Sequence, residues 1–354
     1  MEEKESNNIW FSHWMEGTGP NAEVALSSRV RLARNIKDIP FPYFASDAQS
    51  QEVQERIISS AAEQEGHFNQ FTFQRMSDIT LLDRQVLVEK HLISPLLAQE
   101  LPNSGVLKRN DEAVSVLINE EDHARIQSIF PGLQLEKAWE EADLCDNLLE
   151  EKLEMAYHER YGYLTACPTN VGTGLRASVM LHVPALIMTE QFNRIMSALS
   201  QVGVAVRGLY GEGTEIVGNL VQISNQITLG QSEEEIINNL FNVTQQVIEQ
   251  ENNARQSLVN ENREKLKDRC WRALGIMKYA RLISSKEAMK LLSDIRLGFE
   301  LGLLPHMSRQ LFLQLMVVIR PGCLQVLAGK ELDERERDEE RARQIRERLQ
   351  EIGA

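Results

Sequence analysis

The segment that constrains this chain most is Cys167–Met188, CPTNVGTGLRASVMLHVPALIM. Its Gly172, Gly174 and Ala177 formally fit the G-x-G-x-x-G/A dinucleotide fingerprint. That fingerprint works only where a helix starts at the glycines and aims its N-terminus at a phosphate. Here the glycines lead into a run containing Val179 and Val183, and Pro184 follows within a few residues, where it would break a helix that had only begun. The spacing predicts a strand after Gly174 and excludes the dinucleotide-binding fold. Cys167 and Arg176 must then serve another purpose.

The rest of the first 230 residues mixes strand and helix signals. Ala113–Asn119 is a compact β-type run, and Glu120–Phe130 after it has helical spacing. Tyr163–Pro168, Val202–Gly211 and Leu220–Gly230 read as further strands, the last with Val221 and Ile223 on one face and Gln222 and Ser224 on the other. Thr189–Gly203 reads as an amphipathic helix, with Thr189 as N-cap, Phe192, Ile195, Met196 and Leu199 turned inward, and Gly203 ending it. At Ser232 the texture changes. Ser232 and Glu235 form a capping box, apolar residues from Ile236 to Ile248 follow at helical spacing, and helical patterns continue to the end, with a second capping box at Ser284–Glu287. The polar stretch Glu249–Gln256 marks the boundary expected between a first domain, 1–255, and a helical one, 256–354; one helix running through it is the alternative. The tail Lys330–Gly353 alternates charge densely and reads as a solvated helix laced with i,i+4 ion pairs.

At 354 residues the chain is long enough for two cores. Its net charge of −14 argues against a nucleic acid as the main ligand, so any phosphate site must be a local basic cluster. Cys145, Cys167, Cys270 and Cys323 show no C-x-x-C spacing, which suits a reducing compartment better than a zinc site or a disulfide framework. The polar, acidic N-terminus is no signal peptide, and no apolar run approaches the ~20 residues of a membrane span. A cytoplasmic protein is expected.

Four segments gather arginines and carboxylates beside glycine or a strand end: Ser27–Asn35, Asn119–Ile126, Cys167–Ser178 and Arg207–Glu215. Each has a simple explanation. Arg29 and Arg31 would face solvent on a strand, Asn119 would cap a helix with Glu120, Glu121 and Asp122 in its first turn, Cys167 would be a buried apolar residue, and Tyr210–Gly213 would be a turn. Consecutive helical residues do not converge, so Glu120–His123 predicts no metal site. Together, however, the segments fit one chemical problem. Phosphoryl transfer from ATP needs developing charge positioned and stabilised, and the chain has neither a phosphate-binding P-loop nor protein-kinase motifs. Arginines can replace such a loop, because each guanidinium stays charged and grips phosphate oxygens in pairs. Arg29, Arg31, Arg125, Arg176 and Arg207 would form that clamp, with the glycines letting backbone approach the phosphates. A guanidinium acceptor has no free lone pair, so anionic groups must bind it and take a proton. Glu121, Glu212 and a Cys167 activated by nearby cations are suitable.

The four segments resemble the phosphagen (guanidino) kinases through S-x-R-V-R, N-E-E-D-H, C-P-T-N-x-G-T and R-G-x-x-G-E, in that order, over roughly Pro20–Gly230. The resemblance implies an α+β fold, an antiparallel sheet flanked by helices, here followed by an all-helical C-terminal domain, and the use of ATP and Mg2+. Carried over by position, Arg29, Arg31, Arg125, Arg176 and Arg207 match nucleotide-phosphate ligands, Glu121 and Glu212 match the carboxylates that hold the guanidinium, and Cys167 matches the cysteine beside it. There are departures. Only 26 residues precede Ser27, too few for the helical domain that closes over small guanidines, so an open acceptor side is expected. Leu209 and Tyr210 replace smaller or polar residues, and Gln222 stands where an acidic residue is common. A helical region of about a hundred residues is added. An open site with a helical extension is similar to the bacterial members that phosphorylate arginine side chains in proteins and mark them for an ATP-dependent protease under stress. Arg337–Ala342, RDEERA, resembles the R-D-x-x-R-A motif by which those members bind phosphoarginine as an allosteric effector, through Arg337, Asp338 and Arg341. The resemblance also implies a homodimer, with Trp271–Ile283 and Lys286–Leu304 as candidate interface elements, and leaves an activator protein as a further partner. A kinase for free arginine or another small guanidine is one alternative. An inactive phosphoarginine-binding adaptor is another, disfavoured by the intact carboxylates.

Overall fold

Strand β1 (Ala25–Arg34) sets the architecture: Val30 and Leu32 are buried on one face, while Arg29 and Arg31 point to the other. These elements belong to a computed structural model that describes residues 11–351 apart from residues 65, 100, 209–215 and 306. Helix α1 (Asp47–Glu63) follows behind a capping box of Ser46 and Gln49. Then come β2 (Phe71–Arg75), α2 (Leu81–Glu89), β3 (Gly105–Arg109), β4 (Val114–Ile118), β5 (Ala124–Pro131) and α3 (Leu135–Glu150). A small hairpin of β6 (Tyr157–His158) and β7 (Gly162–Tyr163) leads to β8 (Leu175–His182), α4 (Pro184–Met188), α5 (Phe192–Gln201), β9 (Val204–Gly208) and β10 (Leu220–Asn225). Eight strands form one sheet in the order β2-β3-β4-β5-β1-β8-β10-β9, every neighbouring pair antiparallel. Residues 175–182 are therefore a strand, as their spacing predicts, and Pro184 opens the short helix after it.

Three local expectations are corrected. Glu120–Phe130 is not helical: Asn119 adopts φ 54°, its N–H donates to the His123 carbonyl at 3.0 Å, and the chain turns from β4 straight into β5. Ala124, Ile126 and Phe130 then alternate into the main core, so a period of two wins over the helical one. Tyr163–Pro168 is strand only at its first residue, because Asn35 takes the Leu164 carbonyl, Asp122 takes the Ala166 N–H, and Pro168 starts a 3-10 turn. Thr189 caps the end of α4, its hydroxyl donating to the Ala185 carbonyl at 2.8 Å, and does not open α5. The inward residues of α5 are as expected: Leu199 is buried and Phe192, Ile195 and Met196 pack on the core.

From Ser232 the chain is helical. Helix α6 (Glu233–Tyr279) starts with the expected capping box and runs without a break through Glu249–Gln256, turning non-helical at Asn262 with φ −149°. Glu251 and Arg255 on it are buried: Arg255 Nε donates to Glu251 at 2.7 Å, and Glu251 accepts from the Ala185 and Leu186 N–H groups that open α4. Next are α7 (Ser285–Glu300), α8 (Arg309–Val318), α9 (Pro321–Ala328) and α10 (Glu334–Glu351). At the start of α7, Ser284 accepts from the Glu287 N–H. Among the described residues no single helix is long and apolar enough to cross a membrane.

Two cores result. The larger lies between one face of the sheet, α3 and the first half of α6. The second joins the C-terminal helices to Ile129 and Met180, which share the opposite face with Arg29. The helical region thus covers one end of the arginine-bearing face, and a smaller core that includes Leu117, opposite Arg125, covers the β3–β4 end.

Candidate active site

Register assembles the site. Arg31 lies opposite Arg176, Arg29 opposite Ser178, Ala33 opposite Arg125, and Gln222 opposite both Met180 and Arg207. Residues opposed in antiparallel strands share a face, so the five predicted arginines sit on one face of four strands. Like charges placed opposite each other are unfavourable, and the sheet carries that cost openly. Burial, with Arg125 and Arg176 nearby, lowers the pKa of Arg29 to about 10. Burial and the same neighbours, with Arg29 added, push Arg31 well down, and Glu120 opposes only in part. A guanidinium does not surrender its proton, so these shifts measure repulsion that a bound polyanion would relieve. Arg31 Nε is buried with no hydrogen-bond partner among the described residues. Arg29 Nη2 donates to Gln222 at 3.3 Å, so Gln222 belongs to this face as a neutral partner.

At one end of the arginine face lies the β4–β5 turn, and here adjacent carboxylates separate in role. Glu120 is buried, accepts from Arg125 Nη1 at 2.6 Å and binds the Ser94 hydroxyl. Glu121 is half-buried and 3.4 Å from Arg125 Nη2, with the Cys167 thiol near enough to influence its titration. Burial raises the Glu121 pKa; Arg125 and the thiol oppose that, while Asp122 and Glu120 add to it. Asp122 and His123 hold the turn in place. Asp122 Oδ1 accepts from Asn35 Nδ2 and the Ala166 N–H, both at 2.7 Å. His123 Nδ1 accepts from the Ile36 N–H at 3.0 Å and its Nε2 donates to the Pro40 carbonyl at 2.9 Å. Burial lowers the His123 pKa, so the ring is neutral and this tautomer is the one the bonds require.

The Cys167 loop meets Glu121 from the other side, with Sγ also 3.1 Å from Thr169 Oγ1. Its glycines have a packing role that the sequence did not show. Gly172 has φ 116° and a Cβ there would lie 2.2 Å from the Thr228 carbonyl; one at Gly174 would lie 2.6 Å from the Ala33 carbonyl. They let the loop pack closely on neighbouring backbone. Thr173 N–H donates to the Thr228 carbonyl at 3.0 Å. Arg34, on the opposite face of β1, anchors the loop: Nη1 donates to the Thr173 carbonyl and Nε to Asp146, both at 2.9 Å, with the guanidinium 3.4 Å over the Tyr163 ring.

Of the other predicted residues, Glu212 lies outside the described residues, as do Leu209 and Tyr210. Arg337, Asp338 and Arg341 sit together on α10, apart from the sheet. Arg341 is buried, with Nε donating to the Ile319 carbonyl and Nη1 to that of Ile283, both at 2.8 Å, and Nη1 also bonded to Asp338. Arg337 is half-buried, 3.4 Å from the Leu332 carbonyl. The expected i,i+4 pairs along the tail are present at Arg335–Glu339 and Arg343–Glu347. Sequence reasoning missed Arg34 and His91. His91 follows α2 with φ 62° and shares a small cavity with Arg29, Ser178 and Gln222. Burial, Arg29 and Arg320 hold its pKa down to about 3, so it offers a neutral ring at the edge of the arginine face.

This geometry matches known proteins. Residues 52–254 fit the family described as ATP:guanido phosphotransferase, C-terminal catalytic domain, and residues 263–354 fit the protein-arginine kinase McsB C-terminal domain. A protein-arginine kinase of Brevibacillus brevis is 50% identical over 350 residues, covering 99% of this chain and 98% of that one. One from Symbiobacterium thermophilum is 52% identical over 344 residues, covering 96% of each. The chain belongs to the protein-arginine kinase family. Solved guanidino kinases share the family's catalytic fold. Lombricine kinase is 28% identical with a TM-score of 0.59, over 67% of this chain and 68% of that one. The duplicated taurocyamine kinase of Schistosoma mansoni, with bound transition-state-analogue components, is 28% identical with a TM-score of 0.59, over 65% of this chain and 33% of its own.

Proposed function

We propose that this member of the family transfers the γ-phosphoryl group of ATP to a guanidine nitrogen of arginine side chains in proteins. The observation that carries the reading is a face of five arginines ending at a half-buried carboxylate paired with a cysteine. Arg29, Arg31, Arg125, Arg176 and Arg207 hold the phosphates, and their mutual repulsion is relieved when the anion binds. Glu121, with Glu212, binds the incoming guanidinium, and Cys167 lies against it. As the N–P bond forms and the bond from γ-phosphorus to the bridging oxygen breaks, the guanidine N–H proton passes to a carboxylate and ADP leaves. Among the described residues no three carboxylate, histidine or cysteine side chains cluster as a metal site. Mg2+ comes with ATP on the nucleotide phosphates, where it offsets their charge.

The division of labour falls near residue 255, and the two family matches on either side support it. The helical region serves regulation and assembly. Arg337, Asp338 and Arg341 receive phosphoarginine as effector, and the exposed Trp271, Ile276, Tyr279 and Leu282 support a homodimer through this region. The activity belongs to the cytoplasm and to stress responses, where phosphoarginine directs proteins to an ATP-dependent protease and an activator protein adjusts the rate.

The test is phosphorus NMR after incubation with ATP, Mg2+ and a loosely folded arginine-rich protein, with free arginine in parallel. An acid-labile phosphoramidate signal on the protein alone is expected. A signal on free arginine alone overturns the protein-substrate reading in favour of a small-guanidine kinase, and no signal on either favours a binding adaptor.

A further inference from the structure

We propose that Tyr43 and Phe44 form an apolar subsite that selects polypeptides with aromatic or aliphatic side chains near the target arginine; this rests on the protein-arginine kinase reading above. Both are exposed, at 65% and 83%, on a residue type that normally hides. They are not a frayed loop. The Phe41 carbonyl accepts from both the Phe44 and Ala45 N–H groups, at 2.8 and 3.0 Å, and Ser46 then caps α1. The turn is tied to the acceptor end: Pro40 accepts from His123 Nε2 at 2.9 Å, and His123 stands two residues beyond Glu121. Three or four residues of chain beyond Pro40 span at most about 14 Å. Tyr43 and Phe44 are thus within the reach of a peptide's next several residues once its arginine meets Glu121.

The surroundings point the same way. The backbone beside this turn, bridged at Ile36–Met155, leads into the β6–β7 hairpin with exposed Tyr157 and Tyr161. On the far side, Thr228 receives the Cys167 loop and is flanked by exposed Ile227 and Leu229. Three segments that touch the acceptor turn or its cysteine loop therefore present apolar side chains outward, near a carboxylate on a protein of net charge −14. A small guanidine has no use for such a rim. An extended chain carrying a cationic arginine between apolar neighbours fits both parts of it, and such sequences are buried in folded proteins and exposed in unfolded ones. The partner is a disordered, apolar-flanked arginine segment.

The experiment compares two arginine peptides, one with Leu and Phe on either side and one with Gly and Ser, on wild type, on Tyr43→Ser/Phe44→Ser and on Tyr43→Leu/Phe44→Leu. The wild type should favour the apolar peptide. The serine variant should lose about fivefold to tenfold in kcat/KM for it, mainly through KM, while the Gly/Ser peptide is unchanged; the leucine variant should keep the preference. Equal losses on both peptides, or no loss on either, overturn the subsite. A change in oligomeric mass with no change in preference overturns it too, and makes the turn an interface between copies. Phosphorylation of neither peptide by wild type, with free arginine modified, removes the underlying reading and the subsite with it.

Discussion

Glu120 and Glu121 are adjacent and chemically alike, and only the fold separates them. One is buried against Ser94 and Arg125, the other half-open beside Cys167. Sequence pattern could nominate the pair but could not rank them, because the ranking depends on a turn that the pattern misread as a helix. The Glu121→Gln variant keeps size and hydrogen bonding while losing the charge, so it should remove transfer and leave calorimetric ATP affinity near wild type. ATP affinity that collapses in this variant would remove Glu121 from the acceptor side. The sign of the pH effect follows from burial. The carboxylate form is needed, burial raises its pKa above the ordinary glutamate value, and so kcat/KM should fall as pH drops through a value above that range. An acid limb at or below the ordinary carboxylate range would count against the assignment. At Arg31 the prediction has two opposed parts. Arg31→Met keeps the stem and deletes a guanidinium crowded by Arg29, Arg125 and Arg176, so the free protein should melt no lower than wild type. The rise in melting temperature on adding ATP should nevertheless shrink, since the anion loses a ligand. A lower melting temperature with an intact ATP response would refute the repulsion argument.

Among the elements, strands with one buried face were legible and turns were not. Ser27–Asn35 and Leu220–Asn225 alternate cleanly, and their arginine and glutamine faces came out as read. Glu120–Phe130 failed because Ala124, Ile126, Ile129 and Phe130 satisfy a helical and an alternating template at once; pairing with β4 decides, and pairing is not local. The glycines of the Cys167 loop have a packing role that was not legible in the sequence. Gly172 has a positive φ and no space for a Cβ beside the Thr228 carbonyl, whereas Gly230 has a positive φ and open surroundings. Gly230→Ala should therefore cost only backbone strain, about 1–3 kcal/mol. Gly172→Ala should cost distinctly more and lower kcat by displacing Cys167 and Thr173. Denaturant unfolding of the two variants checks this, and equal losses would mean that packing on Thr228 is not what the glycine provides.

For the molecule as a whole, the junction between the sheet and the C-terminal helices was invisible in the sequence. It joins His182 on β8 to Ser293 on α7, at 2.8 Å and 111 residues apart, with Asn219 donating to the same hydroxyl at 2.7 Å. Around it lie two buried cations: Arg255 donates to the His182 carbonyl, and Arg296 donates to the Ala22 carbonyl with its guanidinium 4.7 Å from the Phe312 ring. Burial, Arg296 and Arg255 all hold the His182 pKa well below the ordinary histidine value of about 6.5. A histidine kept neutral in the folded state contributes its full stability above pH 6.5 and loses it as the pH falls toward the folded value, because only the unfolded chain takes the proton. The slope is about 1.4 kcal/mol per pH unit for one such group. His91 and His123 act in the same sense, while Glu251 and Asp146, raised by burial, act in the opposite one, so the wild-type curve alone is ambiguous. The difference between wild type and His182→Gln is not. Glutamine places an amide where Nε2 stood, can bond Ser293, and has no proton to gain. Between pH 6 and pH 5 the wild type should lose more stability than the variant by chemical denaturation, by at most about 1.2 kcal/mol. Parallel curves would mean that His182 charges without disturbing the junction, and that α7 is not seated on β8 by this contact.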